Sequence, residues 1–370
     1  DSDLDLFVTA CGGANALFIN DGKGNFSNQT KVAGLEAPKI GSTSVAMGDI
    51  DGDGDLDIYV TNYGATSVLR SGGKVSVRTV NGKQVVTGRY SNRIRIVKGS
   101  FVEIGEPDIL YINDGTAKFT KVNWLDGNWL DASGQPIKKE FWDLGLSVMI
   151  RDINQDGLPD IYNCNDFQTP DRLCINKGNG KFQLVNEMSI RHRSYFAMAV
   201  DFADINRDGH DDFFVADMIS PTHLLEMTQA GITNPFVKPI DEFIDRPIIH
   251  RNTLYVNRGD NTYMETANYS GVSATEWTWG STFMDVDLDG LEDLLIANGH
   301  AFDTQDLDAM ERTSKLGALP VSQSRKKIFL HPPLAVPNMI YRNIGGLQFD
   351  EVGKDWGFNS KNVSHGISLC

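Results

Sequence analysis

The sequence predicts an all-β protein, a β-propeller of four-stranded blades, because two patterns repeat along the chain. The first is an acidic loop that runs into an apolar strand. It occurs at GDIDGDGDLDIYV (48–60), RDINQDGLPDIYN (151–163), ADINRDGHDDFFV (203–215) and MDVDLDGLEDLLI (284–296). The second is a hairpin, with apolar residues before Asn-x-Gly and an aromatic residue after it. It occurs at LFINDGKGNF (17–26), LYINDGTAKF (110–119), LCINKGNGKF (173–182), LYVNRGDNTY (254–263) and IYRNIGGLQF (340–349).

Each repeat supplies four strands. The acidic loop lies between two strand-like runs, such as SVAM (44–47) and DIYV (57–60), and the hairpin adds two more. The 52 residues from Asp152 to Asp204 accommodate four short strands and their turns. This succession is typical of a propeller blade.

The chain ends suggest a fragment. Residues 1–8 align with residues 53–60, so the chain begins inside an acidic loop. The closing aromatic of a blade precedes the next acidic loop by 22 or 23 residues, and Phe349 plus 22 falls one position after Cys370. We therefore expect one propeller domain over residues 1–370, truncated at both ends and containing about five blades.

The acidic loops have the spacing of calcium sites. Numbered from the first acid, oxygen-bearing side chains occupy positions 1, 3, 5 and 9, and Gly occupies position 6, where the backbone must turn. These side chains are Asp49, Asp51, Asp53, Asp57; Asp152, Asn154, Asp156, Asp160; Asp204, Asn206, Asp208, Asp212; and Asp285, Asp287, Asp289, Asp293. Position 7, where the backbone carbonyl is the usual ligand, is Asp55, Leu158, His210 or Leu291. Converging carboxylates repel one another without a cation, so we predict that these residues bind Ca²⁺.

Other interpretations of the loops fit less well. An EF-hand needs Glu at position 12, which here lies inside a strand. Zinc needs His or Cys, and Mg²⁺ tolerates all-protein cages poorly. Asp-Gly alone also makes a hairpin turn, but four complete copies favour calcium. The partial loop at Asp1, Asp3 and Asp5 differs because Ser2 replaces Gly.

Composition excludes several classes of protein. The 34 Lys and Arg against 49 Asp and Glu give a net charge of −15, which argues against a nucleic-acid partner. No apolar run is long enough to span a membrane, and the first residues do not resemble a signal peptide. The four Cys include no CxxC pair; Cys164 and Cys174 flank one hairpin and could form a disulfide.

Insertions occur at one kind of position. The separation between loop position 9 and the hairpin Asn varies among the repeats. It is 15 residues from Asp5 to Asn20 but 56 from Asp57 to Asn113. The predicted insertions are 62–108, 121–142, 217–253 and 298–339, the second of which joins two blades. Short helices are expected at PTHLLEMTQ (221–229) and DTQDLDAMERTSKLG (303–317). In an up-and-down blade these connections emerge opposite the acidic loops, so we expect partners to bind on that face.

Two features of the insertions have alternative explanations. Residues 70–98 contain eight basic and no acidic residues. This stretch is either a solvated hairpin or a patch that binds an anionic glycan or an acidic protein. The basic residues are Arg70, Lys74, Arg78, Lys83, Arg89, Arg93, Arg95 and Lys98. Trp124, Trp129 and Trp142 either anchor a long loop or stack against sugars.

The repeats resemble FG-GAP or VCBS repeats, the calcium-bearing blades of integrin α-subunit propellers. More narrowly, EWTWGSTFMDVDLDGLEDLLIANGH (276–300) and the residues after it are similar to the cartilage acidic protein and UnbV family. That resemblance implies calcium binding, a seven-bladed or nearly seven-bladed ring and export to the periplasm or the cell exterior. Enzyme motifs such as GxSxG and HExxH are absent from the sequence. The sequence therefore favours a binding or adhesion module for protein or glycan, with the propeller of a carbohydrate-active hydrolase or lyase as the alternative.

Overall fold

The computed structural model describes residues 3–368 apart from 37–38, 70–73, 98, 168, 230–245, 318 and 320. The chain forms two compact units. The first is Asp1–Asn165 with Asp171–Val185, and the second is Asp166–Pro170 with Asn186–Cys370. Four residues of the predictions above lie outside the described residues, namely Asp1, Ser2, Arg70 and Lys98.

The first unit contains sixteen described strands. They are β1 (Leu6–Val8), β2 (Ala16–Asn20), β3 (Phe26–Asn28), β4 (Ser42–Gly48), β5 (Asp57–Asn62), β6 (Ser76–Val80), β7 (Lys83–Thr87), β8 (Ile94–Val97), β9 (Ser100–Glu103), β10 (Ile109–Asn113), β11 (Phe119–Lys121), β12 (Trp129–Leu130), β13 (Gly145–Arg151), β14 (Asp160–Asn165), β15 (Arg172–Asn176) and β16 (Phe182–Leu184). Strands β4, β5, β10 and β11 form one four-stranded antiparallel sheet, and β13 to β16 form another, to which β12 adds in parallel. Strands β1 to β3 form a three-stranded sheet.

The second unit repeats this arrangement. Its elements are β17 (Arg193–Ser194), β18 (Ala199–Ala203), β19 (Asp212–Ala216), β20 (Met218–Ile219), α1 (His223–Thr228), β21 (Ile248–Ile249), β22 (Thr253–Asn257), β23 (Tyr263–Glu265), α2 (Ala267–Ser270), β24 (Glu276–Met284), β25 (Asp293–Asn298), β26 (His300–Phe302), α3 (Leu307–Lys315), α4 (Val321–Ser324), a 3₁₀ helix (Arg325–Leu330), β27 (Pro333–Leu334), β28 (Met339–Asn343) and β29 (Phe349–Glu351). Strands β18, β19, β22 and β23 form one sheet; β24, β25, β28 and β29 form another, with β20 at its edge.

The second strand of each four-stranded sheet is buried along its whole length, polar residues included. In the second unit, Phe214 from β19 and Leu294 and Ile296 from β25 share one apolar cluster. In the first unit, Tyr59 from β5 and Ile161 from β14 do the same. The core of each unit therefore lies between successive sheets, as blade packing requires.

The hairpins confirm the second sequence pattern. In all five, the hairpin Asn lies directly opposite the closing aromatic residue across the strand pair. The pairs are Asn20 and Phe26, Asn113 and Phe119, Asn176 and Phe182, Asn257 and Tyr263, and Asn343 and Phe349. The all-β, propeller-type prediction is confirmed. The number of blades, the single domain over residues 1–370 and the truncated ends stay predictions.

The three insertions between second and third strands fold into small elements at the sheet ends opposite the acidic loops. Insertion 121–142 does not stay at that end, because its strand β12 pairs with Phe182 beside the hairpin. The first forms two hairpins, β6 with β7 and β8 with β9. Residues 217–253 contain β20, β21 and the predicted helix α1, with residues 230–245 outside the described chain. Residues 298–339 contain the predicted helix α3, the helix α4, the 3₁₀ helix and the β26–β27 pair. The long connections thus carry secondary structure of their own.

Arg93 does not belong to a basic surface patch. Its guanidinium is buried, donates from Nε to the Ile104 carbonyl at 2.7 Å and from Nη1 to Glu106 Oε1 at 3.1 Å, and lies 3.5 Å from Glu103 Oε1. Both acids lie outside the window 70–98, so a count of charges in that window missed them. The hairpin around Asn81 is largely exposed, which fits both the solvated hairpin and the patch for an anionic partner, so that choice stays open.

Two further sequence questions are settled by packing. Trp124 and Trp129 are buried with ring centroids 4.1 Å apart, and Trp129 stacks on Phe182, so both anchor their loop in the core. The disulfide between Cys164 and Cys174 is not formed, and both thiols are free and buried. The reason is register, because Cys174 lies opposite Ile161, three residues from Cys164.

Candidate metal centres

Each acidic loop joins the first and second strands of a four-stranded sheet and is organised by its first aspartate. Oδ2 of this residue accepts a hydrogen bond from the amide of the Gly at position 6, at 2.8 to 3.0 Å. The pairs are Asp49 with Gly54, Asp152 with Gly157, Asp204 with Gly209, and Asp285 with Gly290. The loop therefore curls around the carboxylate at position 1.

The curl requires left-handed backbone at two positions. Position 6 has φ between +87° and +95° in all four loops, which glycine adopts without strain. Position 4 is also left-handed, and its residues differ: Gly52 (+81°), Gln155 (+60°), Arg207 (+58°) and Leu288 (+59°). Sequence reasoning identified position 6 and missed position 4, where only the first loop has Gly.

Acidic side chains converge in two loops. Carboxylate oxygens of Asp49, Asp51 and Asp57 lie within 4.8 Å of one another, and so do those of Asp285, Asp287 and Asp289. The carboxylate of Asp53 is outside the first group; its Oδ1 accepts from the amide of position 7 at 3.1 Å.

The other two loops bring an amide and a carboxylate together. Asn154 Nδ2 lies 3.1 Å from Asp156 Oδ2, and Asn206 Nδ2 lies 2.9 Å from Asp208 Oδ2. Positions 3 and 5 therefore meet in these loops too, with fewer negative charges.

The aspartate at position 9 ties the loop to the hairpin of the same sheet. Its Oδ1 accepts from the amide of the hairpin Asn at 2.8 Å in all four sheets. The pairs are Asp57 with Asn113, Asp160 with Asn176, Asp212 with Asn257, and Asp293 with Asn343. In the partial first repeat, Asp5 makes the same bond to Asn20 at 2.9 Å. This contact gives position 9 a structural role that spacing alone did not reveal.

Burial strongly perturbs the carboxylates at position 9. Removal from solvent raises the pKa of Asp57 to about 6 and the pKa values of Asp160 and Asp212 to about 7. Burial and the neighbouring Asp53 also raise the pKa of Asp51. A carboxylate that resists ionisation in this way is stabilised by a bound cation.

The residues present fit a hard divalent cation. The side chains at positions 1, 3, 5 and 9 offer only oxygen ligands, apart from the amide nitrogens of Asn154 and Asn206. Asp55 Oδ1 in the first loop and Asn113 Oδ1 in the hairpin of the same sheet are shielded from solvent and accept no hydrogen bond from the described residues. Orphaned buried oxygens of this kind are costly unless a cation or another donor meets them. The assignment of individual ligand atoms, including the carbonyls of Leu158, His210 and Leu291, stays a prediction.

A second repeated contact lies at the opposite end of the sheets. An Asp or Asn lies directly before the third strand of each repeat. Its Oδ1 accepts a hydrogen bond of 2.7 to 2.9 Å from a backbone amide, which lies at the end of the second strand or just after it. The pairs are Asn15 with Ala10, Asp108 with Asn62, Asp171 with Asn165, Asn252 with Asp217, and Asn338 with Asn298. We call this contact the root clamp, since it closes the base of each long connection.

The root clamp was missed from the sequence although a signal exists. An Asp or Asn precedes the third strand in all five repeats, but insertions place it at a different distance from each acidic loop. Counting back from the hairpin Asn instead finds it at a constant five residues, as from Asn113 to Asp108.

The repeats have a family counterpart. Residues 1–60 and 152–215 match the FG-GAP-like repeat family. The two matched segments together cover about a third of the chain. Together with the four-stranded sheets, this match supports an FG-GAP β-propeller, as the sequence predicted. No functionally described protein matches the chain in sequence.

Several solved structures share a weak likeness to the chain. A lectin from Agrocybe aegerita that recognises non-reducing terminal N-acetylglucosamine is 14% identical, with a TM-score of 0.30 over 94% of this chain and 78% of its own. The rhamnogalacturonan lyase YesW is 15% identical, with a TM-score of 0.33 over 79% of this chain. The exotype lyase YesX is 13% identical, with a TM-score of 0.33 over 96% of this chain. The chain spans only 42% and 51% of the length of these two lyases, and TM-scores below 0.5 assign it no function.

Among the described residues, no helix has the length and apolar character needed to cross a membrane.

Proposed function

We propose that this protein is an exported, calcium-stabilised propeller of the cartilage acidic protein and UnbV type, which acts as a binding or adhesion module. The observation that carries the proposal is the acidic loop, repeated four times with the same internal hydrogen bonds between positions 1 and 6. Calcium bound there holds each loop against its sheet. The ion has a structural role, and recognition takes place elsewhere on the molecule.

The recognition surface is proposed at the sheet ends opposite the acidic loops. All three insertions within a sheet leave from the second strand and return at a root clamp, as at Asn62 and Asp108. The tight hairpins at the other end keep their Asn-x-Gly form in every repeat. Loops on a rigid scaffold are where binding residues concentrate, so protein or glycan partners are assigned to the insertion elements.

Catalysis receives less support from the described residues. A hydrolase or lyase needs carboxylates that exchange protons with a substrate. The buried acids Asp108 and Asp143 lie outside the acidic loops, but each is held within the protein. Asp108 accepts from Asn62 and Tyr59, and Asp143 is paired with Arg172. Binding is therefore placed ahead of catalysis.

Calorimetric titration of the chelator-stripped protein with CaCl₂ tests the scaffold part of the proposal. We expect heat from binding and a higher melting temperature, and absence of both overturns it. The recognition part is tested on a glycan array and on surface proteins, with two exposed apolar residues exchanged for Ser. Phe329 lies in the insertion 298–339 and Leu288 in an acidic loop. Phe329→Ser should weaken binding and Leu288→Ser should not; the opposite result contradicts the face assignment.

A further inference from the structure

The acidic loop 285–293 is reached by an arginine from the third strand of its own sheet. Arg342 lies on β28 beside the hairpin Asn. Its Nη2 donates to Asp289 Oδ2 at 2.9 Å, and its Nε lies 2.6 Å from Asp287 Oδ2. One planar guanidinium therefore bridges the carboxylates at positions 3 and 5.

The corresponding residue is apolar in the other sheets. The position before the hairpin Asn is Ile112, Ile175 or Val256. Those three loops therefore have no cation from this strand position. In loop 285–293 the same oxygens that spacing assigns to a metal already have a positively charged partner.

A second guanidinium lies against this loop. A Cβ placed on Gly290 would come within 2.3 Å of Arg207 Nη2, so the Arg207 side chain occupies the space beside that glycine. Arg207 comes from position 4 of the preceding acidic loop, in the same unit. Arginine groups therefore approach loop 285–293 from two directions.

We propose that Arg342 is a built-in counter-ion that makes loop 285–293 the weakest of the four calcium sites. This inference rests on the proposed calcium binding. Arg342 neutralises positions 3 and 5 without metal, so this loop keeps its shape in metal-free protein. Calcium must displace the guanidinium or bind beside it, and the positive charge opposes a divalent ion in either case. The other three loops fill first, and this loop fills last.

The test is calcium titration of the whole chain with Arg342→Ile, which installs the residue found at Ile112 and Ile175. Removing one positive charge roughly 5 Å from a divalent ion should tighten one site about tenfold in a water-like dielectric. The same variant should melt at a lower temperature than the parent in EDTA, because two adjacent carboxylates lose their partner. Arg258→Ile is the matched control. It changes the net charge by the same amount, and Arg258 follows the hairpin Asn of a different sheet.

The possible outcomes separate the inference from the proposed function. If neither parent nor variant binds calcium at any loop, the proposed scaffold role fails. If the parent binds four ions with equal affinity and Arg342→Ile changes nothing beyond the control, calcium binding stands and the counter-ion inference is overturned. Should Arg342→Ile not fold, Arg342→Gln removes the charge and keeps a polar side chain. A gain in affinity for one site then supports the inference, and no gain contradicts it.

Discussion

Asn343 Nδ2 donates a hydrogen bond of 2.9 Å to the backbone carbonyl of Ile205, which is 138 residues earlier in the chain. Ile205 occupies position 2 of an acidic loop, and Asn343 begins the hairpin of the next sheet. The first unit repeats the contact between Asn176 and Ile50, at 2.8 Å. Within each unit, a hairpin therefore holds the acidic loop of the preceding sheet, and neighbouring loops lie on the same side.

Replacing Asn343 should cost more stability than replacing the equivalent Asn257. Asn343→Ala removes the bond to Ile205, whereas Asn257 Nδ2, among the described residues, donates to Asp211 in its own sheet. We expect Asn343→Ala to lower the free energy of unfolding by about 1 kcal/mol more than Asn257→Ala. Urea denaturation at saturating calcium measures the difference. Equal losses would show that the contact between sheets contributes nothing.

Chelation should lower the melting temperature by several degrees. An ion that binds only folded protein adds about 2.7 kcal/mol per site to the free energy of unfolding when its free concentration is a hundred times its dissociation constant. Four ions would also change the formal charge from −15 to about −7, which reduces self-repulsion. Calorimetry with calcium and with EDTA measures the effect. An unchanged melt, in protein shown to be metal-free, would disprove calcium stabilisation.

The metal-free protein should lose stability as the pH rises from about 4 to about 7. Burial places the pKa of Asp160 and of Asp212 near 7, well above the value of about 3.9 for an unfolded aspartate. Between these two pKa values the folded protein therefore binds more protons than the unfolded protein. The stability that these protons contribute is lost as the pH rises through the folded pKa. Melting curves in EDTA between pH 4.5 and 8 should show the decline, less steeply in Asp160→Asn. A metal-free stability that increases over this range contradicts the assignment.

The root clamp at Asp108 should accept asparagine and reject alanine. Burial raises the pKa of Asp108 to about 8, which makes its charge costly, and three other clamps use the neutral residue Asn. The new amide can donate to Asn163 Oδ1, which has no partner among the described residues, once the Asn163 side chain rotates. Asp108→Asn should change the free energy of unfolding by less than about 1 kcal/mol, and Asp108→Ala should cost about 2 kcal/mol. Equal effects in urea denaturation would rule out the clamp as a hydrogen-bonding device.

Leu288 should be replaceable with a gain in stability. It has φ of +59° and its side chain is 86% exposed, so it gains little from burial while its backbone is left-handed. Asparagine tolerates this conformation better, and Leu288→Asn should add roughly 0.5 to 1 kcal/mol to the free energy of unfolding. Leu56→Asn is the control, because Leu56 is exposed in an acidic loop without positive φ. No gain, or the same gain in the control, would exclude backbone strain at position 4.

The sequence predicted the features that depend on local spacing. The acidic loops and the Asn-x-Gly hairpins are each encoded within about ten residues, so repetition made them visible. The helices α1 and α3 were predicted for the same reason. The four strands of each sheet were predicted because each lies next to one of these motifs, whereas insertion strands such as β26 and β27 were not predicted.

Features that depend on distant partners could not be read in the same way. The ion pairs of Arg93 with Glu103 and Glu106 cross the boundary of the basic window, and the offset of Cys174 from Cys164 depends on strand register. Arg342 looked like an ordinary strand residue, because its carboxylate partners are more than fifty residues earlier. Such contacts become visible only when the sheets are assembled.

The root clamp also bears on how this molecule can change over generations. Its hydrogen bond between Asn62 and Asp108 fixes both ends of a connection whatever sequence lies between them. Lengthening such a connection from the 15 residues between Asp5 and Asn20 to the 56 between Asp57 and Asn113 adds only about 1 kcal/mol of closure entropy. Whole segments can therefore be exchanged between clamps, by recombination or by an engineer's graft, while the sheets and their acidic loops are inherited intact.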